Sequence, residues 1–196
     1  VGKEVLTMDK KNIEWGEHGF DYMETDKRYV ATYKNGEWDN GQLISDPMIT
    51  MSECACVLQY AQTIFEGLKA YTTEDGRIVT FRPDLNAKRF ADSAKRMEMP
   101  PLPEEQFVES IKEVVKANAA YVPPYGTGAT LYIRPYMFGI NPVIGVKPAT
   151  EFQYRAFTTP VGPYFKGGAK QITLRVSDND RSGPHGTGNI KAGLNY

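Results

Sequence analysis

The stretch RSGPHGTGNIKAGLNY, residues 181–196, crowds glycines around one lysine, Lys191. Glycines let a backbone turn sharply and lie close against something flat. A lysine amine that has lost its water is a nucleophile, and its natural partner is a carbonyl carbon. That is the demand of Schiff-base chemistry with an aldehyde cofactor. Phosphate cradling is the competing use of such a loop, and the residue order argues against it. A P-loop needs lysine directly after its last glycine, then Ser or Thr. Here Gly188 is followed by Asn189, and Lys191 by Ala192. The dinucleotide fingerprint fails too, because Lys191 stands where its third glycine belongs. By residue type alone, a lysine in a glycine loop is more often solvated than reactive.

Two arginines could recognise anions. In LYIRP, strand alternation puts Tyr132 and Arg134 on one face and Leu131 and Ile133 on the other. The apolar pair should face a core, and Tyr132 with Arg134 a cleft or solvent. Arg89 lies in DLNAKRFADSAKR beside Lys88, Lys95 and Arg96, where residue type alone suits a solvated helix face. Phe20, Tyr60, Phe65 and Tyr164 could wall an apolar pocket, although aromatics more often fill cores. Glu66, in FEG, could serve a site or merely end a turn, and takes no assigned role.

The elements that must position these groups read as α+β. RYVATYKNGEWDNGQLI is a hairpin with an Asn35-Gly36 turn, and FEGLKAYTTEDGRIVTFRP a second with Asp75-Gly76 at its tip. A helix should begin at Pro83, bury Ala87, Phe90, Ala91, Ala94 and Met97, and stop before Pro100. Another should have Pro103 at its start, Glu104 and Glu105 in its first turn and a stripe of Phe107, Ile111, Val114 and Val115. Three strands follow in ATLYIRPYMFG, TEFQYRAFTTP and KQITLRVSD, the last alternating Ile172, Leu174 and Val176. PVGPYFKGG reads as a connector and a domain boundary.

The 196 residues carry a net charge of −1 and form no apolar run near the roughly 20 residues that span a bilayer. Near-neutral charge argues against a nucleic-acid or membrane-surface partner. VGKEVLTMDKKNIEW has no apolar core of a secretory signal. Cys54 and Cys56, one residue apart, read as free thiols of a reducing compartment, and two distant histidines make a metal site improbable.

Five motifs, FEGLKAY, FRPDLNAKRF, YGTGATLYIRP, PVGPYFKGG and GTGNIKAGLNY, stand in the order seen in branched-chain amino-acid aminotransferases, and the chain resembles them from about Trp15 to Tyr196. These are pyridoxal phosphate (PLP) enzymes of fold type IV. The resemblance implies a small α+β domain over 1–160, an interdomain loop over 161–168 and the start of a cofactor domain over 169–196, cut short. It implies that Lys191 carries PLP as a Schiff base and moves the substrate proton. Arg89 would bind the cofactor phosphate and Tyr196 its phenolic oxygen. Tyr132 and Arg134 would line the substrate carboxylate side. Phe20, Tyr60 and Phe65 would belong to the small domain's share of the pocket, and Tyr164 to the interdomain loop. The implied reaction moves an amino group between leucine, isoleucine or valine and 2-oxoglutarate, in a cytoplasmic homodimer. D-amino-acid aminotransferases and aminodeoxychorismate lyases share the lysine and the arginine, and a non-catalytic protein keeping the fold is a further alternative. Without the rest of such an enzyme, residues 1–196 alone should bind PLP poorly and show no transamination.

Overall fold

The computed structural model describes residues 9–163 and 171–196. β1 (Arg28–Lys34) turns through Asn35 and Gly36, both at positive φ, into β2 (Glu37–Trp38). Two left-handed residues give the turn whose twist matches that of the strands, so the Asn-Gly signal holds. β3 (Gln42–Ile44) then pairs back onto the start of β1. A one-turn helix, α1 (Cys56–Tyr60), leads into β4 (Thr63–Phe65). Glu66 and Gly67 separate it from β5 (Leu68–Thr72), which forms the second hairpin with β6 (Ile78–Thr80).

Both long helices form where periodicity puts them. α2 runs over Pro83–Arg96 and α3 over Glu104–Ala117. α2 buries Ala87, Phe90, Ala91 and Ala94; Met97 falls just beyond its end and is only partly buried. α3 buries its expected stripe. The long strands β7 (Thr130–Gly139) and β8 (Phe152–Val161) pair along their whole length. The eight strands make one antiparallel sheet with the central order β2-β1-β8-β7-β5-β6, β3 lying on β1 and β4 on β7.

Alternation splits this sheet into two unlike faces. Leu131, Ile133 and Met137 of β7 are wholly buried on the side where the aromatic rings of both helices pack. There Phe90, Phe107 and Tyr154 meet pairwise, with centroids 5.3 to 6.0 Å apart. Ser110 donates to the Phe107 carbonyl at 2.7 Å, so the Tyr154 hydroxyl donates to Ser110 Oγ at 2.7 Å. Complete burial holds that phenol far above its usual pKa. The opposite face carries Tyr132, Arg134 and Tyr136 of β7, beside Thr159, Phe157 and Arg155 of β8.

One expected strand is absent. Residues 171–177 are not in a strand, and Ile172, Leu174 and Val176 are exposed. A strand needs a neighbour to take its backbone hydrogen bonds, and no described strand lies beside these residues. Alternation alone therefore does not make one. Both cysteines are free, Cys56 buried and Cys54 partly so. Among the described residues no helix is long and apolar enough to cross a membrane.

Candidate active site

β4 and the dipeptide after it form the spine of the site. Ile64 bridges to Ala192, and the Phe65 amide donates to the Lys191 carbonyl at 3.1 Å. From the other side the Lys191 amide donates to Ser93 Oγ of α2 at 3.1 Å. Asn195 shapes the loop from within. Its amide donates to the Thr187 and Ile190 carbonyls at 2.7 and 2.8 Å, and its oxygen accepts from the Thr187 hydroxyl at 2.6 Å. A 3₁₀ turn over Gly193–Asn195 brings Tyr196 back toward Lys191.

The Lys191 side chain then lies over the Phe65 ring, Nζ 4.4 Å from its centroid, and donates to the Tyr196 hydroxyl at 3.2 Å. Lys191 is half-buried rather than enclosed. The Tyr196 ring meets Phe65 edge-on at 5.4 Å. The hydrogen bond from Lys191 holds the Tyr196 phenol below its usual pKa, and the charges of Lys191, Arg181 and Arg89 add to this. Arg181, with its guanidinium 5.3 Å from the Tyr196 centroid, was not foreseen from sequence.

Arg134 reaches Phe65 from β7, its guanidinium 4.6 Å from the ring centroid, and donates twice to the Tyr132 hydroxyl at 3.2 and 3.0 Å. Tyr132 can lie there because residue 67 is glycine. A Cβ on Gly67 would come within 2.3 Å of the Tyr132 hydroxyl oxygen. Beyond this pair, Phe20, Tyr22, Phe157 and Thr159 help enclose a cavity of about 320 Å³.

Glu66 is the group the sequence left without a role. It is fully buried. Arg89 grips it through Nε at 2.5 Å and Nη2 at 2.8 Å, and Asn86 donates to it at 2.8 Å. A buried carboxylate must be paired, so Arg89, otherwise exposed on α2, turns its fork inward and leaves Nη1 outside that pair. A carboxylate between an aromatic and a glycine, with an arginine at matching depth on the following helix, was the available signal. It could not be read without knowing that α2 packs against β4.

The structure thus brings Lys191, Tyr196, Phe65, Tyr132, Arg134 and Arg89 into one neighbourhood, with Phe20 at the adjoining cavity. The Tyr60 hydroxyl donates to the Ile144 carbonyl. Tyr164 lies outside the described residues.

No model of a known family matches the chain. Individual proteins do. The chain is 48% identical over 186 residues to a branched-chain-amino-acid aminotransferase of Haemophilus influenzae, covering 95% of this chain and 54% of that protein. It superposes on a branched-chain amino acid aminotransferase from Escherichia coli with a TM-score of 0.60 at 25% identity, covering 87% of this chain and 50% of the other. It also matches a T.th. branched-chain amino acid aminotransferase, solved with pyridoxamine 5′-phosphate, at a TM-score of 0.51 and 27% identity, covering 69% and 40%. The chain spans about half the length of the curated relatives it matches. Its fold is that of fold type IV, and over the part it spans the chain is similar to branched-chain-amino-acid aminotransferases.

Proposed function

We propose that the protein transaminates branched-chain L-amino acids with 2-oxoglutarate, and that the Lys191 cleft is its cofactor and substrate site. The observation that carries this reading is the convergence of an amine, a phenol and two arginines, from a loop, a helix and a strand, on Phe65 and Glu66. The names shared by the relatives support the substrate class.

The donor set fits pyridoxal phosphate. An amine stands free of carboxylates among the described residues, a phenol lies beside it, and an arginine keeps one nitrogen outside its pair with Glu66. Lys191 would hold the cofactor through its aldehyde carbon, Tyr196 would bond its ring oxygen, and Arg89 would meet its phosphate. When bound, the cofactor supplies an electron sink for the pair left on the substrate Cα. Lys191 Nζ would take the Cα proton, as a positioned base must. Arg134, held by the Tyr132 hydroxyl, would bind the substrate carboxylate. Phe20 and Phe65, with Tyr60 and Tyr164 on the resemblance alone, would exclude water around an apolar side chain. We read 1–160 as the small domain, 161–168 as the loop and 169–196 as the start of the cofactor domain, in a cytoplasmic homodimer.

The test is borohydride reduction of the intact, cofactor-loaded protein followed by peptide mapping. The label should fall on Lys191; a label on Lys69 or any other lysine would overturn the assignment. Turnover of L-leucine and not D-leucine with 2-oxoglutarate should accompany it.

A further inference from the structure

The open face of the sheet holds a second cluster of cations, outside the Lys191 cleft. Arg28 of β1 and Arg155 of β8 are both buried, 2% and 5% exposed. Val30, two residues after Arg28, is the register partner of Arg155, so the two arginines fall on the same face of neighbouring strands. Both line a cavity of about 130 Å³, together with Tyr22, Pro47, Tyr136 and Phe157.

Two buried cations in one small cavity call for negative charge, and the described residues supply little. Arg28 donates to the Ser45 and Thr25 carbonyls. Arg155 donates to Gln153 Oε1 at 3.2 Å and to the Asp46 carbonyl at 3.3 Å. All four acceptors are neutral. The closest carboxylate is that of Glu24, 4.0 Å from Arg28 and itself largely in solvent. Burial pulls Arg155 below its usual pKa and Arg28 adds to the pull, with Tyr136 and Asp46 opposing only in part. Each guanidinium has N–H donors beyond the two it uses. The half-buried Tyr136 hydroxyl has no hydrogen-bond partner among the described residues. Arg89 makes the contrast plain, because there a buried carboxylate takes the fork.

We propose that the cavity between Arg28 and Arg155 binds a small oxyanion of carboxylate or phosphate size. Guanidinium forks and a phenol hydroxyl are the donors that recognise such a group, and its charge relieves two like charges that line one cavity. The site shares its Tyr22 and Phe157 walls with the cavity beside Arg134. Those two rings meet edge-on at 5.9 Å, so an anion on one side braces the wall of the other. The assignment does not depend on the transaminase reading.

Calorimetric titration of the intact protein tests it, with inorganic phosphate in one arm and acetate in another, chloride holding ionic strength constant. Saturable binding of either anion is expected, and the arm that responds identifies phosphate or carboxylate as the source. Arg155→Gln should weaken it about tenfold or more, the loss of one charge-assisted contact, while Arg89→Gln and Arg134→Gln leave it intact. Should Arg155→Gln fail to fold, Tyr136→Phe removes one donor without touching a charge and should weaken binding severalfold. No saturable binding in either arm overturns the proposal. So does binding that survives Arg155→Gln or Tyr136→Phe and disappears with Arg89→Gln or Arg134→Gln.

Discussion

The two faces of the sheet are built from the same strands and obey different rules. On the helix-covered face Leu131, Ile133 and Met137 are wholly buried, and the inward-pointing Tyr154 phenol has its hydroxyl matched by Ser110. On the open face Tyr132, Arg134 and Tyr136 alternate with them, half-buried, and arginines lie against rings and carbonyls. Side chains one apart on a strand point opposite ways, so β7 can hold the core together with one set and present chemistry with the other. A change on one face should therefore be nearly silent on the other.

The largest effect expected is on the covered face. Phe107→Ala should destabilise the intact protein by about 3–5 kcal/mol in denaturant unfolding, because it opens a cavity among Phe90 and Tyr154. A loss below about 1 kcal/mol would mean that the helices do not close this face. Arg134→Gln, on the open face, should raise KM for amino and oxo acids about tenfold or more, with cofactor absorbance and stability little changed. Loss of the absorbance with unchanged KM would break the division of labour between Arg134 and the Lys191 loop. Tyr154→Phe should cost about 1 kcal/mol, the net value of one buried hydrogen bond, and leave KM unaltered; a shifted KM would show that the faces communicate.

The smallest effect is a titration. The Tyr196 phenol should ionise below an ordinary tyrosine, and Lys191→Met should move it upward by removing the hydrogen bond and a charge. Difference absorbance during an alkaline titration reads this; an unmoved midpoint would deny the contact. A lowered folded pKa favours the phenolate in the fold. Its contribution to stability is therefore complete only above the ordinary tyrosine value near pH 10, and is lost as pH falls through the folded pKa.

Much of this was legible in residue patterns. The Asn35-Gly36 turn, the starts of α2 and α3 at prolines, and the alternation of β7 all rest on local sterics, which neighbours in sequence impose. Lys191, Tyr196, Tyr132, Arg134 and Arg89 were singled out from their motifs, and the fold brings them together. KQITLRVSD misled, since its alternation matches a strand but the described residues supply no partner for its hydrogen bonds.

By itself the sequence determined which segments are helix or hairpin, which face of β7 is apolar, and the resemblance to an aminotransferase family, because these depend on residue type and short spacing. Only the tertiary structure decided that Glu66 is buried and takes the fork of Arg89, that Phe65 lies beneath both Lys191 and Arg134, and that Arg28 and Arg155 share a cavity. The pairs Glu66–Arg89, Phe65–Lys191 and Arg28–Arg155 join residues 23, 126 and 127 positions apart. Burial and charge compensation act through space, and no local pattern records which distant side chain will be there to meet them.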